Sequence, residues 1–212
     1  MLADTITGFV LAGGRSTRMG RDKAHIPWTH GTLLSHAVEE LSQVALRVFI
    51  VGARNVDDPP VSVIEDSLPG RGPLAGVHAA LGQTATDWNL FLAVDLPFVT
   101  GGLLGLVAGY CPSSASLAIV PKVGGKLQPL CAAYHRNLLP EVESALNAGE
   151  FSIHRLLERL STGIIDDSPP GKMYVIEEQE LQDAGFASEM LLNVNTPEDL
   201  ERARALVKTL NV

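Results

Sequence analysis

The sequence has few of the features that define several common protein classes. Only two of its 212 residues are cysteine, Cys111 and Cys131, and their spacing fits neither a CxxC motif nor a metal site, which disfavours a disulfide framework or a zinc centre. No apolar run approaches the roughly 18 residues of a membrane span. No Lys or Arg precedes the short N-terminal apolar run, unlike in a signal peptide. We therefore expect a reduced, cytoplasmic protein with no membrane partner.

Basic residues are scarce overall but concentrated at one place. With 24 acidic and 16 basic residues the formal net charge is −8, which argues against a nucleic-acid partner because such proteins normally present a basic face. The acidic excess lies in residues 137–212, whereas residues 1–136 are neutral. Residues 15–23 carry four bases and one acid, a local charge of +3. This segment is where a compact polyanion could bind.

The first half of the chain alternates between two kinds of hydrophobic pattern. Apolar, β-branched runs typical of buried strands lie at 6–12, 47–51, 61–64 and 88–94, and helical spacing begins near Thr32 and Pro73. This alternation favours βαβ units, and hence an α/β fold whose mostly parallel sheet is covered on both faces.

The segment LAGGRSTRMGRDK, residues 11–23, leads from a buried strand into a glycine-rich loop. Gly13 and Gly14 lack side chains, so their backbone N–H groups can approach a ligand closely. Positive charge comes from Arg15, Arg18, Arg21 and Lys23. The segment matches neither GxGxxG nor GxxxxGK[ST], and a turn with solvated charges is the alternative. We favour a phosphate-binding loop.

Two acidic residues directly follow predicted strands. Asp66 comes after the strand that starts at residue 61, and Asp95 ends the apolar run that starts at residue 88. Ligands bind at the carboxyl ends of strands in open parallel sheets, so both acids should converge with the glycine-rich loop. Carboxylates next to a polyphosphate need an intervening cation, and Mg²⁺ prefers oxygen ligands. For Asp66, a role in a turn or helix cap is the alternative.

Six motifs, in order along almost the whole chain, resemble those of the molybdenum cofactor guanylyltransferases. They are LAGGRSTRMGRDKA at 11–24, VIEDS at 63–67, GPLAG at 72–76, AVDLP at 93–97, LQPL at 127–130 and NVNTPEDL at 193–200. The resemblance implies a three-layer Rossmann-like nucleotidyltransferase fold with a mostly parallel sheet. It also implies a single domain over 1–212, with a nucleotide-binding half at 1–110 and an acceptor-binding half at 111–212.

The activity implied by this resemblance is transfer of GMP from GTP to the phosphate of a molybdopterin-type cofactor, with release of pyrophosphate. The implied partners are GTP, the molybdopterin-type cofactor and molybdoenzyme-maturation proteins, and the implied metal is Mg²⁺. Cytidylyl-transferring relatives usually read LAAG, so Gly13 favours GTP. The alternatives are a cytidylyl- or other nucleotidyltransferase acting on another phosphorylated acceptor, and a non-catalytic nucleotide or cofactor carrier.

The same resemblance assigns the site residues. Nucleotide contacts are expected from Leu11, Ala12, Gly13, Gly14, Arg15, Lys23, Asp66 and Asp95. Asp95 is also the expected Mg²⁺ ligand, and with the metal it is expected to act on the α-phosphate. Lys23 and Arg15 are expected to neutralise the charge on the departing pyrophosphate, so Arg15, Lys23 and Asp95 are the expected catalytic residues.

Three further residues are assigned to the acceptor side of the cleft. They are Gln128, Asn193 and Asn195. The two asparagines flank Val194 on a segment that we expect to be extended at 191–194, which would turn both side chains to one face. A role in the turn before the final helix is the alternative. After the second strand, where the family often has asparagine, this chain reads VGAR at 51–54.

Overall fold

A computed structural model of the protein describes residues 5–13, 19, 22–53, 59–66, 68, 70–111, 116–162 and 172–210. The strands are β1 (Ile6–Leu11), β2 (Pro27–Trp28), β3 (Gly31–Thr32), β4 (Arg47–Val51), β5 (Val63–Ile64), β6 (Trp88–Ala93), β7 (Ala118–Val123), β8 (Lys126–Leu127), β9 (Cys131–His135) and β10 (Met173–Ile176). The α-helices are α1 (Leu33–Ser42), α2 (Pro73–Leu81), α3 (Gly101–Tyr110), α4 (Leu139–Asn147), α5 (Ile153–Thr162), α6 (Glu178–Asp183) and α7 (Pro197–Leu210).

Eight of these strands form one sheet. Its order is β5-β4-β1-β6-β9-β7-β10, with β8 paired to β7. The strands β5, β4, β1 and β6 are parallel, whereas β9 runs antiparallel to both of its neighbours. Within the parallel part, Leu11 of β1 lies level with Val51 of β4 and with Ala93 of β6. The predicted mostly parallel sheet is confirmed, and three of its strands end side by side.

Two hydrophobic cores cover the two faces of the sheet. Alternate residues of β1 point to opposite faces, as the pleat requires: Val10 packs in the core that includes α1, α3 and α7, and Phe9 in the core that includes α2, α4 and α5. At Gly8 a Cβ would lie 3.2 Å from side-chain atoms of Leu41 and Ala45, so the glycine allows α1 to pack closely. The predicted three-layer α/β arrangement is confirmed. No helix in the described part of the chain is long and apolar enough to cross a membrane.

Helix α3 and residues 191–194 differ from the sequence-based expectation. Helix α3 was not predicted. Its sequence, GGLLGLVAGY, consists of glycine and apolar residues, so it has no polar face that would reveal a helical period. The extended segment expected at 191–194 is instead the end of a short 3-10 helix, Ser188–Leu191, followed by irregular chain. Its backbone does not pair along a strand, since the Val194 N–H donates to the Asp95 carbonyl at 2.8 Å.

A buried polar cluster ties the amino-terminal ends of β1 and β6 together. Asn89 is fully buried, and its amide donates to the Tyr134 carbonyl at 3.2 Å. Its side-chain oxygen lies 3.0 Å from the Thr86 hydroxyl, which in turn lies 2.8 Å from the Thr7 hydroxyl. Each of these polar groups therefore has its partner inside the protein, which is the condition for burying it without a large cost.

We expect Asn89→Ala to lower the free energy of unfolding by about 2–4 kcal/mol, because it leaves buried partners unsatisfied and opens a small cavity. Urea unfolding followed by circular dichroism measures the change. Gln83→Ala, at an exposed position after α2, is the control and should stay within about 0.5 kcal/mol of wild type. Equal stability of the two variants would contradict the role of the cluster.

Candidate active site

A cleft of about 400 Å³ opens at the carboxyl ends of β1, β4 and β6. The ends of these three strands form its floor, with Leu11, Val51 and Ala93 among the lining residues. One wall is built from the segment that leads from Asp66 into α2, and the opposite side carries Lys23, Asp95 and Asn195. The cleft therefore lies where the parallel sheet predicted it.

The loops after β1 and β4 touch each other at the floor of the cleft through two glycines. Gly52 has a φ of +72°, and a Cβ on it would lie 3.2 Å from the Cα of Gly13. A Cβ on Gly13 would lie 3.4 Å from the carbonyl oxygen of Gly52. Backbone hydrogen bonds hold this approach, from Ala12 N–H to the Val51 carbonyl and from Gly52 N–H to the Ile64 carbonyl, both 3.0 Å. Glycine at both positions lets the two loops approach each other without side chains between them.

Lys23 sits on a short 3-10 helix, Lys23–His25, just beyond the glycine-rich loop. The Asp22 carboxylate caps this helix by accepting from the Ala24 N–H at 3.0 Å, and Ala24 is buried against the core that contains α1. The Lys23 ammonium donates to Asp95 Oδ2 at 2.9 Å and to Asn195 Oδ1 at 2.8 Å. The two members of the ion pair are 15% and 19% exposed, so water screens them less than it screens a pair on the open surface.

The backbone on both sides of Asp95 is fixed. The Val94 N–H donates to the Leu11 carbonyl at 3.2 Å, and the Asp95 carbonyl accepts from the Val194 N–H at 2.8 Å. This places the carboxylate at the end of β6, next to the Lys23 ammonium. The ammonium of Lys23 and the carboxylate of Asp95 offset each other's charge.

Asp66 lies on the opposite wall and has a local role as well. Its Oδ1 accepts from the Leu68 N–H at 2.9 Å, an Asx turn that redirects the chain after β5. Its side chain also lines the cleft. The turn role offered as the alternative is thus present, and it leaves the carboxylate within reach of a ligand.

The amino-terminal end of α2 also faces the cleft. Gly72 caps the helix without a side-chain hydrogen bond, and Pro73 occupies the first turn. Both residues line the cleft together with Gly76. The free N–H groups and the helix dipole at such an end favour anions. With the ammonium of Lys23 on the other side, the cleft is suited to a phosphate-bearing ligand, and its carboxylates are suited to a cation bound with it.

Comparison with known proteins assigns the family. The sequence matches the MobA-like NTP transferase domain over residues 8–163. The chain belongs to this family. It is 30% identical over 197 residues to the molybdenum cofactor guanylyltransferase of Syntrophotalea carbinolica, covering 92% of this chain and 89% of that protein. It is 32% identical over 200 residues to a probable molybdenum cofactor guanylyltransferase of Carboxydothermus hydrogenoformans, covering 93% and 94%.

A solved structure shares the fold. The crystal structure of molybdopterin-guanine dinucleotide biosynthesis protein A from Archaeoglobus fulgidus superposes with a TM-score of 0.77 at 25% identity, covering 96% of this chain and 99% of that one. The likeness therefore includes both the parallel part of the sheet and the later strands and helices. The nucleotidyltransferase fold expected from the sequence motifs is confirmed.

Most of the predicted nucleotide-binding residues of this MobA-like chain come together in the cleft. Those lining it are Leu11, Ala12, Gly13, Lys23, Asp66 and Asp95. Gly14 and Arg15 lie outside the described residues. The shared location agrees with the prediction, and the individual contacts to nucleotide, metal and leaving group stay predictions.

The three predicted acceptor-side residues do not lie together. Gln128 forms the turn after β8, where its backbone N–H donates to the Pro121 carbonyl at 2.8 Å, and Leu130 of the same motif lines the cleft instead. Asn193 is exposed and is not among the residues that line the cleft. Asn195 does line it and binds Lys23. The side chains of Asn193 and Asn195 do not share a face, because the segment that contains them is not a strand.

Gly52 is a residue of the floor that sequence reasoning missed. Gly52 follows the apolar strand β4 just as Gly13 follows β1, and that parallel was the available signal. Its positive φ and its contact with Gly13 make it part of the site.

Neither cysteine is a candidate nucleophile. Cys111 and Cys131 are both buried and unlinked. Burial raises the pKa of each thiol to about 12, so both stay protonated near neutral pH. The site chemistry therefore depends on charged groups and backbone donors.

We expect Gly52→Ala to lower the free energy of unfolding by about 1–2 kcal/mol, because an L side chain is strained at a φ of +72°. Gly13→Ala is the matched control: its backbone is not left-handed and its new methyl group reaches ordinary van der Waals distance, so the loss should stay below about 1 kcal/mol. Urea unfolding of both variants measures this. A larger loss in Gly13→Ala would contradict the assignment of strain to Gly52.

Proposed function

We propose that the protein transfers GMP from GTP to the phosphate of a molybdopterin-type cofactor, forming the guanine dinucleotide cofactor and pyrophosphate. The observation that carries the proposal is the Lys23–Asp95 pair inside the cleft of a MobA-like NTP transferase. The names of the relatives that match nearly the whole chain, molybdenum cofactor guanylyltransferases, support the guanylyl group and the acceptor.

The nucleotide phosphates are proposed to bind between Lys23 and the amino-terminal end of α2. Gly13 offers its backbone at the floor, and the sequence places Gly14 and Arg15 directly after it. Asp66 faces this space from the wall, where its carboxylate can accept hydrogen bonds from the nucleotide. Gly13 is also the residue on which the preference for GTP over CTP rests.

Mg²⁺ is the proposed metal, and the donor set fits it. Among the described residues no group of three or more His, Cys, Asp or Glu side chains could hold a metal ion. Mg²⁺ does not need such a cage, since it commonly binds through one or two carboxylates, water and substrate phosphates. Asp95 would hold it together with the nucleotide. When bound, the ion neutralises phosphate charge.

The chemistry needs little from the protein beyond position and charge. The second pKa of a phosphate monoester is about 6, so the acceptor phosphate is mostly a dianion at pH 7 and no general base is required. One of its oxygens attacks the α-phosphorus of GTP, and the bond to the β-phosphate oxygen breaks. Lys23, with Arg15, neutralises the charge that develops on pyrophosphate, a contribution of the kind that dominates phosphoryl transfer.

We infer one functional unit over 1–212, in which residues 1–110 bind the nucleotide and residues 111–212 form the acceptor side. Leu130 and Asn195 of the second half line the cleft. We place the reaction in the cytoplasm, with molybdoenzyme-maturation proteins as receivers of the product.

The decisive experiment measures pyrophosphate release from each of the four NTPs in the presence of a molybdopterin-type cofactor and Mg²⁺. GTP should give the fastest release, and EDTA should stop it because, without the metal, no cation lies between the Asp95 carboxylate and the nucleotide phosphates. Faster release from CTP would make the protein a cytidylyltransferase. No release from any NTP would leave a nucleotide or cofactor carrier.

We expect Lys23→Ala to lower the turnover number by about 100- to 1000-fold, the usual effect of removing one preorganised charge donor. Its melting temperature should fall by only a few degrees, because the ion pair lines an open cleft in which water can solvate the Asp95 carboxylate that loses its partner. Lys126→Ala, at an exposed position on β8, is the control and should keep wild-type turnover. Full activity of Lys23→Ala at an unchanged melting temperature would refute the assignment.

A further inference from the structure

Residues 194–199 are attached to the cleft at two points. The Val194 N–H donates to the Asp95 carbonyl at 2.8 Å. The Asn195 side-chain oxygen accepts from the Lys23 ammonium at 2.8 Å. A segment just before the last helix thus contacts both members of the central ion pair.

One carboxylate oxygen fixes the backbone of this segment. Asp199, in the first turn of α7, accepts at Oδ2 from the Asn195 N–H at 3.0 Å and from the Thr196 N–H at 2.9 Å. The Asn195 hydrogen bond, followed by those with Thr196, lowers the pKa of Asp199, so the side chain is a carboxylate and an acceptor near neutral pH. Because both N–H groups meet at one oxygen, the Asn195 backbone is held in a single orientation.

Helix α7, which carries Asp199, is held in place by the core and by a hydrogen bond to the segment after Lys23. Leu200 and Ala203 are buried in the core that contains α1 and α3. The Arg204 guanidinium donates to the Pro27 carbonyl at 3.2 Å, four residues beyond Lys23 along the chain. The helix that carries Asp199 therefore packs against the segment that carries Lys23.

Helix capping accounts for only part of what Asp199 does. The reciprocal cap of α7 consists of the Thr196 hydroxyl accepting from the Asp199 N–H at 3.1 Å and Asp199 accepting from the Thr196 N–H. The hydrogen bond to Asn195 lies one residue upstream of the cap and satisfies no N–H of the helix. Its structural effect is on Asn195, whose side chain reaches Lys23.

We propose that Asp199 is a positioning residue that acts through Asn195 to hold the Lys23 ammonium in place. Lysine has a flexible four-carbon stem, so one acceptor leaves its ammonium free to swing about that contact, whereas Asp95 and Asn195 together define its position. Asp199 is not among the residues that line the cleft and makes no contact with substrate in this proposal. The inference rests on the proposed function of Lys23.

A double-mutant cycle tests the proposal, with kcat and KM for GTP measured by pyrophosphate release. Asp199→Ala and Asn195→Ala should each lower kcat by about tenfold, the size typical for groups that orient a functional side chain. The double variant should lose no more kcat than the less active of the two single variants, because both substitutions act on the same contact. Asp199→Asn keeps an acceptor oxygen and should retain most of the activity.

The matched control is Thr196→Ala, which removes a capping hydrogen bond from the same helix but leaves the Asp199–Asn195 bond. Its melting temperature should fall, while kcat stays within about twofold of wild type. Multiplicative losses in the cycle, or an equal kcat loss in Thr196→Ala, would overturn the proposal. Asp199→Glu tests the same contact in a variant that should fold, since glutamate suits this capping position. Its longer side chain moves the carboxylate oxygen away from the Asn195 N–H, so wild-type kcat in this variant would also overturn the proposal.

A spectroscopic measurement separates this inference from the proposed function. If wild-type protein releases no pyrophosphate from any NTP, the proposed function fails, and the geometry is tested by the side-chain amide resonance of Asn195 in a ¹H–¹⁵N spectrum. That resonance should shift in Lys23→Ala and in Asp199→Ala but not in Thr196→Ala. An unchanged resonance in Asp199→Ala would overturn the coupling whatever the activity.

Discussion

The parallel register of β1 between β4 and β6 is the constraint on which the site depends. Because Leu11, Val51 and Ala93 lie level across three hydrogen-bonded strands, the chain leaves the sheet at three adjacent points. The residues that follow, Gly13, Gly52 and Asp95, share one space although they are far apart in sequence. Ladder hydrogen bonds fix this register, and two buried cores hold the sheet from both sides.

Charge in this protein is arranged locally. The net charge of −8 comes from residues 137–212, while the cleft pairs the ammonium of Lys23 with the carboxylate of Asp95. A glycine floor and a helix end complete the space around that pair. A polyphosphate that enters therefore meets donors that are already in position, and it competes with one carboxylate for one ammonium.

The predictable part of the fold is the part encoded by local pattern. Buried parallel strands are continuous apolar runs, so the end of β6, and with it the position of Asp95, could be located from sequence. The strand before Asp66 was also located, but it is a short edge strand that begins at Val63 rather than at residue 61. Helix α3 could not, because it lacks a polar face. The pairing of Asn195 with Lys23 and the exposure of Asn193 depend on where a distant irregular segment packs. No local period or capping signal encodes such a contact.

The hydrogen bond between Lys23 and Asn195 spans 172 residues, and this separation has a consequence for folding. Strands β1, β4 and β6 lie early in the chain and can assemble while later segments are still emerging from the ribosome. The second acceptor for Lys23 arrives only when residues 194–199 dock on that sheet. Contacts between such distant segments form late, because their loop-closure entropy must first be overcome. A nascent chain that has formed β1, β4 and β6 therefore has the floor of the cleft before residues 194–199 supply the second acceptor for Lys23.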